Sequence, residues 1–196
     1  MRKLDFWFEY GSTYTYLSVA RSSKAAAATG VQLEWHPFLL APILTELGMA
    51  QGPFRPYPAK MAYMWRDLER RAQQHGLPYL KPSHYPPNTL LTARVGTLAA
   101  VEGWCEAFTQ SCFNLHWTQD CAIGSEQNLA ICLTGLHKNP AEVLARAQAP
   151  EIKERLRSAT DTARALGLFG SPSFVVDREL FWGDDRLEEA LDWATR

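Results

Sequence analysis

The sequence comprises 196 residues, of which 46% are hydrophobic and 21% charged, and its formal net charge is -1. This length allows one sizeable hydrophobic core. No polybasic or acidic block is present, which argues against nucleic acid or a membrane surface as a partner. Residues 1–5 lead directly into a predicted strand with acidic residues, without the apolar segment of a signal peptide, and no uninterrupted run of about 18 apolar residues follows. We therefore expect a cytoplasmic protein.

The first predicted elements are a strand and an alanine-rich helix joined by a tight turn. In residues 4–9 the side chains alternate, with Leu4, Phe6 and Phe8 on one side and Asp5, Trp7 and Glu9 on the other, and this period of two with aromatic enrichment is typical of a strand. Gly11 breaks this pattern, and the helix that follows Ser12 contains four consecutive alanines. Ser12 thus lies near the N-cap, where unpaired backbone N–H groups and the positive end of the helix dipole stabilise a thiolate or another anion. The alternative is that Ser12 only caps the helix.

The chain continues with a second strand and a long series of helices. Gly30 ends the first helix, and residues 31–36 alternate again up to Pro37. The first 36 residues therefore predict a parallel βαβ unit. A loop rich in proline and glycine covers 48–58, and a proline-rich stretch covers 77–87. Predicted helices cover 42–47, 59–75, 88–100, 104–117, 125–133, a short segment after Pro140, and 151–166.

Strands return only near the end of the chain. Residues 173–177 and 179–182 predict a hairpin that turns at Asp177-Arg178, and a last helix over 186–194 follows Gly183-Asp184-Asp185. The order is thus βαβ, a helical block, and ββα. We predict an α/β fold in which 1–40 and 165–196 form one discontinuous domain with a four-stranded sheet. Residues 41–164 form a large all-helical insertion.

The four cysteines lie in the central segment, and none forms a C-x-x-C pair. His116 and His137 lie near them, which raises the question of zinc. The spacings of successive cysteines, seven, nine and eleven residues, fit no structural zinc pattern. We predict no metal site and free, mostly buried thiols at Cys105, Cys112, Cys121 and Cys132.

Several motifs, in order along nearly the whole chain, resemble those of one enzyme family. They are FWFEYGSTY at 6–14, PAK at 58–60, RDLER at 66–70, NT at 88–89, GSPSF at 170–174 and FWGDDRL at 181–187. Together they are similar to the motifs of 2-hydroxychromene-2-carboxylate isomerases, which are close to the kappa-class glutathione transferases. The layout, with a proline just before the third strand, resembles a thioredoxin-like fold with a large DsbA-like helical insertion.

The resemblance implies a set of site residues. Ser12 stands where a thioredoxin has its first active-site cysteine, and its hydroxyl would donate to the sulfur of bound glutathione. Pro172 matches the family's cis-proline, which exposes the backbone of Ser171 for pairing with the cysteinyl part of the tripeptide. Lys60 matches a lysine that reaches the glycyl carboxylate. Asp184 and Asp185 match the residues that hold the γ-glutamyl end, with Asp185 placed to take the ammonium group.

These assignments have ordinary structural alternatives and two departures from the family pattern. The two aspartates are also suited to cap the last helix, and Lys60 to be a solvated surface charge. Many family members have proline where this chain has Thr13, and many carry an asparagine in the loop before the lysine, which is absent at 48–53. The second departure places one glutathione contact in doubt.

The resemblance implies a glutathione-dependent isomerase that acts on an unsaturated aromatic carbonyl acid, in the catabolism of aromatic compounds. A kappa-like glutathione transferase shares the first half of that chemistry. A redox-inactive thioredoxin-fold module that binds peptides is the alternative from another class. A disulfide oxidoreductase is disfavoured because Ser12-Thr13-Tyr14-Thr15 replaces the cysteine pair. Kappa-class relatives also imply a homodimer. Candidates for the hydrophobic wall of the site are Trp7, Tyr10, Tyr14, Trp35, Met49, Phe54, Tyr57 and Trp65.

Overall fold

A computed structural model describes residues 2–196 and contains a mixed four-stranded sheet in the order β2-β1-β3-β4. The strands are β1 (Lys3–Phe8), β2 (Gln32–Pro37), β3 (Ser173–Val176) and β4 (Glu179–Trp182). β1 and β2 are parallel, whereas β3 is antiparallel to both β1 and β4. This is the thioredoxin-like arrangement, so the predicted fold is confirmed.

Strand β1 is an inner strand of the sheet, and its buried side chains pack on both faces. Leu4, Phe6 and Phe8 are fully buried in the main hydrophobic core, whereas Trp7 packs on the opposite face in a smaller cluster. The alternation with a period of two residues, read from the sequence, thus directs side chains into two separate layers of packing.

Helix α1 (Thr13–Thr29) connects β1 to β2 and ends at Gly30, which adopts the left-handed conformation at φ 68°. A short 3₁₀ turn (Asp184–Arg186) precedes the last helix. The remaining helices are α2 (Leu40–Glu46), α3 (Pro58–Gln74), α4 (Leu90–Glu102), α5 (Cys105–Gln119), α6 (Glu126–Gly135), α7 (Pro140–Ala147), α8 (Pro150–Ala165) and α9 (Leu187–Ala194).

The main core is shared by the sheet and the helical segment. Phe6 and Phe174 of the sheet belong to the same buried cluster as Phe108 and Trp117 of α5. Burial of apolar surface is the main favourable contribution to folding, at about 25 cal/mol per Å² of apolar area. The division into a thioredoxin-like domain (1–40 and 165–196) and an insertion (41–164) stays a prediction.

The observed elements differ from the predicted ones mainly at their ends. Helix α2 begins two residues before the predicted start, and α4 begins at Leu90 rather than Asn88. The hairpin turn at Asp177 and Arg178 is confirmed, and both residues take positive φ angles, 48° and 73°. Such angles match the turn to the twist of the two strands even without glycine.

The predicted state of the cysteines is also confirmed. All four are free thiols, and three of them are buried, whereas Cys121 is partly exposed. Within residues 2–196, no group of three or more histidine, cysteine or acidic side chains is arranged to hold a metal ion. Across the same range, no helix combines the length and the apolar character needed to span a bilayer.

Candidate functional site

Ser12 occupies the turn between β1 and α1, but its hydroxyl does not cap the helix. Its backbone is extended, with φ -78° and ψ 130°, and its side chain makes no bond to the first-turn N–H groups. Instead, Oγ donates to the carbonyl oxygen of Ser171 over 2.7 Å. The helix N-terminus therefore keeps backbone donors and a positive dipole end for another acceptor.

The loop before β3 is held tightly against this turn. The Ser171–Pro172 peptide bond is cis, as predicted. The hydroxyl of Ser171 accepts the backbone N–H of Glu9 at 2.9 Å and shares a hydrogen bond of 2.8 Å with the hydroxyl of Thr15. The side chain and the carbonyl of Ser171 are thus both bound to the 9–15 segment, which fixes their orientation beside Ser12.

Glu9 lies under the turn and was not identified from the sequence. Its two carboxylate oxygens accept the backbone N–H of Gly11 at 2.8 Å and the hydroxyl of Thr89 at 2.6 Å. Burial raises the pKa of Glu9, against the opposing effect of these two hydrogen bonds. Glu9 thereby connects the Ser12 turn to the start of α4. The sequence feature that could have identified Glu9 is its position: it is an acidic residue between an apolar strand and the Gly11-Ser12 turn.

We expect Glu9→Gln to change how stability depends on pH. Glutamine is isosteric and retains a partner for both Gly11 and Thr89. A folded-state pKa above the ordinary 4.5 means that the native state holds a proton that the unfolded chain has lost, so wild-type stability falls as pH rises through that window. The fall for one proton is at most about 1.4 kcal/mol per pH unit. Urea unfolding from about pH 4 to 7 measures the free energy of unfolding of both proteins.

Substitution of the exposed Glu154 by glutamine is the matched control for this experiment, because that side chain faces solvent on α8. The wild-type curve should descend relative to that of Glu9→Gln as pH rises, while Glu154→Gln follows the wild type. Parallel curves for the wild type and Glu9→Gln would show that the carboxyl of Glu9 has an ordinary pKa.

One face of α3 contacts the start of α1 and carries Lys60. Met64 accepts the hydroxyl of Thr13 at 3.5 Å, and Asp67 accepts the hydroxyl of Tyr14 at 2.9 Å. Lys60 lies one helical turn before Met64 and therefore on the same face. It is exposed, with its ammonium 5.2 Å from the ring centroid of Phe54. This places Lys60 on the side of α3 that points to the Ser12 turn.

The two predicted aspartates have different environments. The carboxylate of Asp184 is buried and accepts two N–H bonds from Arg71, at 2.9 and 3.2 Å. Arg21 lies 3.8 Å from the same oxygen and also donates to the backbone carbonyl of Asp184. Asp185 is about half exposed, and Arg186 lies 3.5 Å from it. Asp184 is therefore held within an ion-pair network, whereas Asp185 remains accessible.

The structure brings most of the predicted site residues together. Ser12, Ser171 and Pro172 meet directly, and the N–H of Gly183 donates to the carbonyl of Pro172 at 3.0 Å. That bond ties the segment carrying Asp184 and Asp185 to the cis-proline loop. Lys60 lies on α3 one turn before Met64, which contacts Thr13. The prediction that these residues bind a cofactor is a statement about a ligand and stays a prediction.

The fold and the site define a class: a thioredoxin-like protein with a helical insertion, in which serine occupies the turn before α1 and no cysteine stands there. The chain belongs to the DSBA-like thioredoxin domain family, whose model matches residues 3–192.

Comparisons with individual relatives and with a solved structure make the family relationship more specific. The chain is 26% identical over 185 residues to a 2-hydroxychromene-2-carboxylate isomerase from Pseudomonas putida, covering 94% of this chain and 90% of that one. It is 26% identical to glutathione S-transferase kappa 2 from Caenorhabditis elegans, covering 97% and 90%. A solved 2-hydroxychromene-2-carboxylate isomerase superposes with a TM-score of 0.88 at 26% identity, covering 97% of this chain and 93% of that one. The predicted family resemblance is confirmed.

Proposed function

We propose that this protein is a glutathione-dependent isomerase that acts on an unsaturated aromatic carbonyl acid, as in the breakdown of aromatic compounds. The observation that carries the proposal is the position of the Ser12 hydroxyl, at the N-terminus of α1 and bonded to the carbonyl before cis-Pro172. The turn holds no cysteine, so thiol chemistry at this turn needs an external sulfur. The isomerases and the kappa-class transferase among its relatives support an enzyme of this kind.

The residues of the site fit a glutathione molecule. The Ser12 turn offers a hydroxyl and free helix N–H groups to a thiolate, and the backbone of Ser171 offers a carbonyl to a peptide N–H. Lys60 offers a cation for the glycyl carboxylate. Asp185 offers an accessible anion for the ammonium group, and we assign Asp184 to the support of that end because Arg71 already occupies its carboxylate.

Bound glutathione supplies a thiolate that adds reversibly to a conjugated carbonyl compound and so lets a double bond rotate or a ring open before elimination. The chain itself contributes the hydroxyl of Ser12, which in this structure donates to the carbonyl oxygen of Ser171. When a peptide N–H takes over the Ser171 carbonyl, the Ser12 hydroxyl is free to donate to the sulfur. That hydrogen bond and the dipole of α1 both favour the charged form of a thiol.

Calorimetric titration with glutathione tests the binding step. We expect Lys60→Gln and Asp185→Asn each to weaken affinity about 5- to 20-fold, since each removes one charge pair at an exposed site, worth about 1–2 kcal/mol with its hydrogen bonds. Lys24→Gln, an exposed cation on α1, is the matched control and should bind as the wild type does. Absence of any heat with the wild type at millimolar glutathione would reject the proposed function.

Product analysis separates the isomerase from its main alternative. The kappa-class relative favours a transferase as a second candidate, since the same thiolate addition is then not followed by elimination. Glutathione recovered in full after turnover of an aromatic enal or chromene carboxylate supports the isomerase, and a stable adduct supports the transferase. Retention on glutathione resin without turnover of either kind would favour a binding module.

A further inference from the structure

A cleft of about 460 Å³ lies along α3, on the side of the helix that carries Met61 and Trp65, about 100–140° around from Lys60. Its floor is apolar and aromatic, formed by Met61 and Trp65 together with Pro58 and Ala62. Its lining includes two cations, Arg55 and Lys81, and no acidic side chain. The full lining is Arg55, Pro58, Met61, Ala62, Trp65 and Lys81.

The cleft adjoins the Ser12 turn through Tyr85. The ring of Tyr85 meets that of Trp65 edge to face, with centroids 4.9 Å apart. Burial raises the pKa of Tyr85 to about 12, and the nearby charge of Glu9 adds to this effect. Glu9 in turn accepts the N–H of Gly11, so Tyr85 and Glu9 link the surroundings of the cleft to the turn that carries Ser12.

The two cations of the cleft have no acidic partner in the part of the chain that the structure describes. In the range 2–196, neither Arg55 nor Lys81 forms a salt bridge, whereas many other arginines of the chain do. The ammonium of Lys81 lies 5.1 Å from the ring centroid of Trp65, so one cation already stands above the aromatic floor. A flat aromatic ligand with a carboxylate satisfies both features, because its ring packs on Trp65 and its charge pairs with the cations.

We propose that this cleft receives the aromatic acid substrate, with the ring against Trp65 and Met61 and the carboxylate between Arg55 and Lys81. The claim that the ligand is a substrate rests on the proposed function. The claim that the cleft binds an aromatic anion rests on the lining of the cleft alone. Lys60 and Trp65 lie about 140° apart around α3, given 100° per residue. The two carboxylates of the reaction, that of glutathione and that of the substrate, are therefore received by different cations.

The test uses coumarin-3-carboxylate, a stable bicyclic aromatic acid, and its neutral analogue coumarin-3-carboxamide, titrated calorimetrically without glutathione. We expect the acid to bind at least about tenfold more tightly than the amide, which corresponds to about 1.4 kcal/mol. Arg55→Gln and Lys81→Gln should each weaken binding of the acid about 3- to 10-fold and leave the amide unchanged. Lys24→Gln is the matched control, and all three side chains are exposed, so the variants retain the fold.

Separate outcomes distinguish this inference from the proposed function. Equal affinity of the acid for the wild type and both cleft variants would overturn the assignment, even if glutathione binds and turnover proceeds. Failure of glutathione to bind would overturn the proposed function, while cation-dependent binding of the acid would still support the cleft as an aromatic anion site. In turnover assays, Arg55→Gln and Lys81→Gln should raise KM for the acid and leave kcat and glutathione affinity unchanged.

Discussion

Ser12→Ala should lower kcat/KM with glutathione by roughly 10- to 150-fold at neutral pH, because a hydrogen bond to a charged group is worth about 1.5–3 kcal/mol. Loss of the hydroxyl should raise the pKa of the bound thiol by roughly 1–2 units. The deficit should therefore shrink as pH rises, since hydroxide then deprotonates the thiol without help from Ser12. The measurement is the pH profile of kcat/KM together with the ultraviolet absorbance of the bound thiolate.

Two further variants show whether the hydroxyl itself is responsible. Ser12→Thr retains a hydroxyl and should recover much of the rate. Ser23→Ala removes another hydroxyl of α1, one that bonds Glu106 at the surface, and should leave the pH profile unchanged. Undiminished turnover of Ser12→Ala would reject Ser12 as the catalytic residue and leave it a role in holding Ser171.

Arg71→Met should lower the free energy of unfolding by about 2–4 kcal/mol at neutral pH, since it leaves the buried carboxylate of Asp184 without its main partner. The figure lies at the low end of the range for buried pairs because Arg71 is about a quarter exposed and Arg21 remains 3.8 Å away. Burial already raises the pKa of Asp184 to about 6, against the opposing effect of Arg71. Removing Arg71 raises that pKa further.

The sign of the pH dependence follows from that shift. Where Asp184 is protonated it carries no charge, so the loss of Arg71 costs less. The destabilisation should therefore be smallest below a pH of about 6, where both proteins hold the proton, and should grow as pH rises from there towards the higher pKa of the variant. Urea unfolding of the wild type and the variant across this range measures the difference in free energy.

The same experiment includes a rescue and a control. The double variant Arg71→Met/Asp184→Asn should regain most of the lost stability, since no uncompensated charge is then buried. Arg70→Met removes the neighbouring arginine, which pairs with Asp67 at the surface over 3.1 Å, and should cost no more than about 0.5 kcal/mol. A pH-independent deficit in Arg71→Met would attribute the loss to packing of the side chain rather than to charge.

Part of the site was readable from local pattern, and part was not. Ser12 and Pro172 stand at breaks between regular elements, where turn chemistry is visible in the sequence itself. Glu9 looked like an ordinary polar residue of an alternating strand, because its partner Thr89 is 80 residues away. Asp184 and Asp185 are consecutive aspartates, and no local pattern in the sequence shows that only Asp184 is buried. Asp184 has two arginine partners, Arg71 and Arg21, only because α3 and α1 pack beside it.

The sequence by itself determined the order of the strands and helices and the place of the Ser12 turn. These features depend on periodicity, on alanine content and on glycine or proline at the breaks, all of which act between near neighbours. Tertiary structure alone decided that the hydroxyl of Ser12 turns away from its helix to the carbonyl of Ser171, 159 residues along the chain. It also decided that Arg55, Trp65 and Lys81 share one cleft. Contacts of this kind depend on how separate elements pack, and no local pattern encodes their distances.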